Sequence, residues 1–101
     1  MGKRYVVSRH AGAVEWLRGK GVEADEVVEH LEVERLERGD VVIGTLPVHL
    51  AAEVCRRECR YLHLALDVRE EARGRELTAE EMERHGARVE EYVVRAAEEE
   101  T

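Results

Sequence analysis

The sequence predicts an α/β fold in which a mainly parallel β-sheet is covered by helices on both faces. Short apolar runs alternate along the chain with segments of helical periodicity, which is the pattern of repeated strand and helix units. The clearest unit is residues 40–49, where an apolar run ends at Gly44-Thr45 and a helical pattern led by Pro47 follows. We interpret this unit as a buried strand, a tight turn and the start of a helix. The rest of the chain is arranged around it.

A first strand and helix precede this unit. Residues 4–8 are rich in β-type side chains and end in the polar group Ser8-Arg9-His10. Residues 11–20 repeat apolar side chains at helical spacing, and glycines supply stop signals at their end. The segment therefore predicts a strand, a polar loop and a helix.

Two weaker segments follow. Residues 26–31 predict a second strand, and because they are less apolar we place this strand near an edge of the sheet. The charged residues 32–38 predict a short helix. So short a connection leaves the position of the second strand open.

The second half of the chain continues the alternation. Residues 48–59 predict a helix and residues 60–66 a strand. Thr78 and Glu81 have the spacing of a capping box, so a further helix is predicted to begin there. Small and apolar residues at spacings of four and three predict that this helix continues to Ala96.

Length and charge limit the classes of function. The 101 residues predict a single domain, residues 1–101. The net charge of −7 disfavours binding to duplex nucleic acid or to an anionic membrane. The chain shows neither an apolar stretch of membrane-spanning length nor a signal-peptide pattern, so we expect a cytoplasmic protein.

The cysteines and carboxylates do not suggest a metal centre. Cys55 and Cys59 lie one helical turn apart without a second ligand pair, so we interpret them as small core residues. Apart from Asp67 and Glu15, the expected site offers few carboxylates for a divalent cation. We therefore expect neither a metal nor another cofactor.

Three polar loops follow the carboxyl ends of predicted parallel strands and should share one edge of the sheet, where ligands bind in open α/β sheets. They are Ser8-Arg9-His10, Gly44-Thr45 and the loop containing Arg73. Their hydroxyls, guanidinium groups, imidazoles and helix N-termini suit the binding of phosphate groups and the metal-free handling of phosphodiesters. A simpler alternative exists for each residue: a solvated charge, a capping hydroxyl, or a turn without a ligand.

Four sequence motifs carry a resemblance to a known family. They are Ser-Arg-His-x-Gly-Ala-x-x-Trp at residues 8–16, Gly-Asp-Val-Val-Ile-Gly-Thr-Leu-Pro at 39–47, Leu-Ala-Ala-Glu-Val at 50–54 and Ala-Arg-Gly-Arg-Glu-Leu at 72–77. With these motifs the chain resembles a small CRISPR-associated accessory family found with type III systems. That family is similar to the CARF-domain (CRISPR-associated Rossmann fold) proteins. The resemblance implies a small Rossmann-like three-layer sandwich and a ring nuclease that linearises cyclic oligoadenylate second messengers.

With this ligand in mind, we assign roles to the candidate residues. The catalytic candidates are Ser8, Arg9 and His10, with Arg9 on the phosphate and His10 as general acid or base. The substrate-binding candidates are Gly12, Gly44, Thr45, Leu46, His49 and Arg73. A ring of four nucleotides has near two-fold symmetry, which predicts a homodimer with the ligand across its axis. Trp16 is then placed either in the dimer interface or in the core.

Two other functions are compatible with the sequence. The same fold could bind a cyclic oligoadenylate without cutting it, as a sponge or sensor. Alternatively, Arg9-His10 followed by Gly12 is similar to the Arg-His-Gly motif of histidine phosphatases. In this chain Ala11 stands at the glycine position, and those enzymes are much larger domains.

Overall fold

The computed structural model describes residues 2–67 and 76–100, which contain five strands and three α-helices. The strands are β1 (Arg4–Val7), β2 (Glu26–Val28), β3 (Val41–Gly44), β4 (Arg60–Ala65) and β5 (Arg88–Tyr92). The α-helices are α1 (Ala11–Gly19), α2 (Val48–Arg56) and α3 (Ala79–Arg84), and short 3₁₀ helices span Val33–Arg35 and Ala97–Glu100.

The strands form one sheet in the order β2-β1-β3-β4-β5. The first four are parallel, and β5 pairs with β4 in the antiparallel direction. The prediction of a mainly parallel sheet is therefore confirmed. So is the edge position of the second strand, although β2 is shorter than the predicted residues 26–31.

Helices cover both faces of the sheet because successive strand residues point to opposite sides. Tyr5, Val42 and Tyr61 pack with the buried residues of α2 in one core cluster. Val6, Ile43 and Leu64 pack with residues of α1 and with Met82 of α3 in the other. Val42 and Ile43 are at most 1% exposed, and burying such a side chain contributes about 1.5–3 kcal/mol. The result is a three-layer sandwich.

The single tryptophan belongs to the core. Trp16 is buried on the α1 side of the sheet, and its indole Nε1 donates a hydrogen bond of 2.8 Å to Glu83 of α3. Of the two positions considered for this residue, the structure supports the core. Cys55 and Cys59 are both unpaired, and Cys59 is buried in the opposite cluster, as expected for small packing residues.

The prediction of one helix from Thr78 to Ala96 is wrong beyond Arg84. The capping box is present, with the Thr78 hydroxyl bound to the Glu81 N–H and the Glu81 carboxylate bound to the Thr78 N–H. The helix then ends, Gly86 takes a positive φ of 75°, and the chain continues as β5. A bidentate ion pair from Arg60 to Glu91 joins β5 to β4. Pairing with a free sheet edge thus outweighs the helical spacing of Val89 and its neighbours.

Gly12 allows α1 to lie against the segment that leads into α3. A Cβ at this position would lie 2.1 Å from the carbonyl oxygen of Leu77, which is backbone and cannot move aside easily. At Gly19, the last residue of the same helix, a Cβ would meet no atom within 4 Å. The two glycines of α1 therefore differ in how much space surrounds them.

We expect Gly12→Ala to lower the free energy of unfolding by about 1–3 kcal/mol, because the added methyl overlaps a backbone carbonyl. Gly19→Ala is the matched control and should leave stability unchanged or raise it by up to about 1 kcal/mol. Urea denaturation followed by Trp16 fluorescence measures both. Equal stabilities for the two variants would contradict the close approach of α1 to Leu77.

Candidate functional site

The sheet has a topological switch point between β1 and β3. The connection from β1 leads through α1 to β2 on one side, while β3 lies on the other side of β1 and leads into α2. Because α1 and α2 cover opposite faces, the two connections diverge and leave a crevice beyond the carboxyl ends of β1 and β3. The Ser8 and Thr45 turns lie at these two strand ends.

A cavity of about 530 Å³ occupies this crevice, within the size range of small-molecule sites. Its inner wall is apolar and includes Leu17, Leu64 and Met82. The polar groups along it are Ser8, Arg9, His10, Glu29, His30 and Thr45. The predicted meeting of the Ser8 and Thr45 turns is confirmed. The third predicted member, Arg73, lies outside the described residues.

The turn after β1 is held by hydrogen bonds of Ser8. Its N–H donates to the carbonyl of Val28, and its Oγ accepts a bond of 3.1 Å from the N–H of His10. Ser8 thus shapes the entry into α1, and its hydroxyl is engaged with main chain. Arg9 and His10 follow with exposed side chains.

The charged groups of this turn are accessible to a ligand. Among residues 2–67 and 76–100, the Arg9 guanidinium has no ion-pair partner. The His10 Nδ1 lies 3.9 Å from the Glu76 carboxylate, which is longer than a hydrogen bond. The described part of the chain contains no group of three His, Cys, Asp or Glu side chains arranged to hold a metal ion.

The turn after β3 is fixed by the hydroxyl of Tyr61. This side chain is 2% exposed and points from β4 into the turn. Its Oη accepts a 2.9 Å bond from the Leu46 N–H and donates to the Gly44 carbonyl at 3.1 Å. The Thr45 hydroxyl donates in the same region to the Leu64 carbonyl at 2.6 Å. Both contacts attach the turn to β4.

His63 completes the hydrogen bonding of the Tyr61 hydroxyl. Its Nδ1 lies 2.7 Å from the Oη, and its ring packs against Tyr92. The hydroxyl has one proton and two lone pairs, so all three contacts are satisfied together when Nδ1 carries a proton and donates. Burial raises the pKa of Tyr61, although the bond from Leu46 opposes this, so the hydroxyl stays protonated at neutral pH. His63 is therefore a structural histidine whose ring is held by Tyr61 and Tyr92.

Only part of the backbone after Gly44 can offer N–H groups to an anion. The Leu46 N–H is already bound by Tyr61, and residue 47 is proline, which has no N–H. The first turn of α2 follows, where the N–H groups of Val48 and His49 have no acceptor within the described residues. An anion at this turn would therefore be bound by the start of the helix.

Two predicted binding residues lie away from the lining of the cavity. Gly12 is buried against Leu77, and His49 is exposed in the first turn of α2. Conversely, Glu29 and His30 line the cavity after β2, although the sequence analysis placed neither in the site. For Glu29, the available signal was its position about 20 residues after the first polar turn, where nucleotide-binding sheets carry an acidic residue.

We predict that Tyr61→Phe destabilises the protein by about 1–3 kcal/mol, because it leaves the buried Leu46 N–H without an acceptor. Tyr92→Phe removes only an exposed hydroxyl contact to Glu90 and is the control, with an expected change within about 0.5 kcal/mol. Denaturation and amide hydrogen exchange at Leu46 measure the effect. Unchanged exchange at Leu46 in Tyr61→Phe would refute this role.

Comparison with known proteins gives one result. A sequence model of the family described as "Putative CRISPR-associated protein (Cas_VVA1548)" matches residues 5–95. The searches of curated proteins and of solved structures found no significant match. None of the described helices is long and apolar enough to cross a bilayer. The family match covers both turns of the cavity and nearly all of the sheet, and the chain therefore belongs to the CRISPR-associated family Cas_VVA1548.

Proposed function

We propose that this protein binds a cyclic oligoadenylate second messenger and cleaves it as a metal-independent ring nuclease, which switches off type III CRISPR signalling. The observation that carries the proposal is the cavity at the switch point between β1 and β3, with Arg9 on one wall and without an ion-pair partner among the described residues. Membership of a CRISPR-associated family supports the biological setting. The ligand class rests on the resemblance of the four motifs, and cyclic tetra-adenylate is the expected ring.

Phosphate binding is assigned to two features of the cavity. Arg9 offers a planar guanidinium that can contact two phosphate oxygens at once. Beyond Pro47, which lines the cavity, the N–H groups of Val48 and His49 have no acceptor among the described residues and stand at the positive end of the α2 dipole. The local charge therefore favours an anion, although the whole chain carries a net charge of −7.

The reaction we propose is attack by a ribose 2′-hydroxyl on its own 3′-phosphorus. The bond to the 5′-oxygen of the next nucleotide breaks, so the products are a 2′,3′-cyclic phosphate and a 5′-hydroxyl. Arg9 stabilises the charge that develops on the phosphate, and His10 transfers a proton. Ser8 and Thr45, whose hydroxyls are bound to main chain, act by holding the two turns in place.

The proposed unit is a homodimer. A cavity of about 530 Å³ has the size of a drug-sized ligand, and a ring of four nucleotides is larger than this. Two cavities related by a two-fold axis would each hold part of a symmetric ring.

A binding module that does not cut the ring is the second candidate. The observation that favours it is the engagement of both site hydroxyls, Ser8 and Thr45, with main chain. Neither hydroxyl is paired with a histidine among the described residues, so the site lacks an activated protein nucleophile there. Cleavage would then depend entirely on the substrate's own 2′-hydroxyl.

One incubation tests the proposal. Purified protein is mixed with cyclic tri-, tetra- and hexa-adenylate in EDTA, and the products are resolved by chromatography and mass. Catalytic conversion to linear species ending in a 2′,3′-cyclic phosphate is the expected result. A sponge would return intact ring after denaturation. Linear products that carry only a 3′-hydroxyl and a 5′-phosphate would require attack by water and would contradict the mechanism.

Arg9→Ala should lower the rate of ring cleavage by about one to two decades, or roughly 1.5–3 kcal/mol, because a charge-assisted contact to the phosphate is lost. Arg9→Lys should restore only part of the rate, since lysine lacks the bidentate fork. Arg18→Ala removes an exposed arginine from the other end of α1 and should change little. Single-turnover cleavage assays compare the three variants. Wild-type rates in Arg9→Ala would remove Arg9 from the site.

His10→Ala should reduce turnover by a factor on the order of 100 and leave ring binding largely intact, if the imidazole transfers a proton in the slow step. Equilibrium binding and saturating cleavage rates, measured on the same protein, separate the two effects. Weaker binding with an unchanged rate would instead make His10 a positioning residue. His49→Ala is then the next variant to measure, because this imidazole lies in the first turn of α2.

A further inference from the structure

Glu29 has no role in the mechanism above, although it is the one carboxylate among the described residues that line the cavity. Within that part of the chain its side chain has neither a hydrogen-bond nor an ion-pair partner. A carboxylate beside an expected phosphate site repels the phosphate. Because an ionised carboxylate only accepts hydrogen bonds, the group it suits is a donor on the ligand.

The backbone places Glu29 beside the Ser8 turn. Val28 pairs with Val7 in the parallel register, and the Ser8 N–H continues the ladder by donating to the Val28 carbonyl at 2.9 Å. Glu29 is the next residue, so it follows β2 where Ser8 follows β1. Neighbouring strands lie about 4.8 Å apart. Glu29 therefore stands one strand away from the turn that carries Arg9 and His10.

This arrangement has a general counterpart in nucleotide-binding sheets. There the phosphate lies at the turn after the first strand, and an Asp or Glu at the end of the second strand accepts hydrogen bonds from the ribose hydroxyls. Glu29 follows the Ser8 turn by about 20 residues, which is the usual separation. The first turn lacks the three glycines of the dinucleotide motif. The comparison with nucleotide-binding sheets therefore rests on the position of Glu29 at the end of β2.

We propose that Glu29 accepts a hydrogen bond from the 2′-hydroxyl of a nucleotide whose phosphate lies between Arg9 and the start of α2. Glu29 then makes the site selective for ribonucleotides over deoxyribonucleotides. This inference rests on the proposed function and deepens it, because the 2′-hydroxyl is also the attacking group. Glu29 is a residue that binds and orients the ribose.

The test uses adenosine 5′-monophosphate and its 2′-deoxy counterpart, neither of which contains a phosphodiester that can be cut. Binding is followed by NMR through the amide signals of residues 8–10 and 29–31. Wild-type protein should bind the ribonucleotide at least about tenfold more tightly, as expected for one hydrogen bond to a charged group. In Glu29→Ala the ratio of the two affinities should fall to about twofold or less.

Glu23→Ala is the matched control, because Glu23 is an equally charged, exposed residue in the loop that leads into β2. Removing a carboxylate weakens the repulsion between the protein and the nucleotide phosphate, and this effect is similar for the ribonucleotide and the deoxyribonucleotide. The ratio of the two affinities therefore reports the contact to the 2′-hydroxyl. The ratio should keep its wild-type value in Glu23→Ala. Trp16 fluorescence verifies that both variants are folded.

Two kinds of failure are distinguishable. The role of Glu29 would be overturned by any of three results, even if the ring is cut. The wild-type protein binds the two nucleotides equally tightly, the ratio of the two affinities is unchanged in Glu29→Ala, or the amide signals of residues 29–31 do not shift on binding. The other failure concerns the ring nuclease. If the protein prefers the ribonucleotide through Glu29 but neither binds nor cuts any cyclic oligoadenylate, the role of Glu29 is supported and the proposed ring nuclease is rejected.

Discussion

The hydrogen bonds of the Tyr61 hydroxyl hold the turn after β3, and the geometry of the candidate site depends on that turn. The hydroxyl binds the Leu46 N–H and the Gly44 carbonyl from within the core, where an unpaired polar group would cost about 1–3 kcal/mol. Because the hydroxyl and these two backbone groups satisfy one another's hydrogen bonds, the backbone follows one path out of β3. Pro47, which lines the cavity, then precedes α2, and the N–H groups of Val48 and His49 in its first turn have no acceptor within the described residues. A residue of β4 thus sets the geometry of the candidate anion site above β3.

The charge of the site differs from the charge of the molecule. The chain is acidic overall, yet Arg9 and two histidines line the cavity. Among the described residues, Arg9 has no ion-pair partner and Glu29 is the one carboxylate of the lining. A small polar ligand with both anionic groups and hydroxyls suits such a mixture. Long duplex nucleic acid would meet the acidic surface outside the cavity. This contrast is compatible with the proposed nucleotide ligand, whose class rests on the resemblance of the four motifs.

The sequence was sufficient where structure depends on local patterns. Apolar runs and helical spacing located β1, α1, β3, α2 and β4, and the Thr78 capping box marked the start of α3. It was insufficient for β5, because residues 88–92 suit either a helix or a strand, and pairing with β4 decides between them. The contact from Tyr61 to the Gly44 turn spans 17 residues and leaves no sequence pattern. The sequence did not indicate Glu29, because an exposed glutamate can be assigned to the site only when β2 is known to pair with β1.

The central claim is that the ligand lies over the carboxyl ends of β1 and β3, and a crystal structure grown with cyclic tetra-adenylate tests it most directly. The account predicts nucleotide density in the cavity, with a phosphate between Arg9 and the first turn of α2 and the ring or its product shared by two copies across a two-fold axis. Nucleotide bound instead at the amino edge of the sheet, near Asp25 or Asp40, would contradict it.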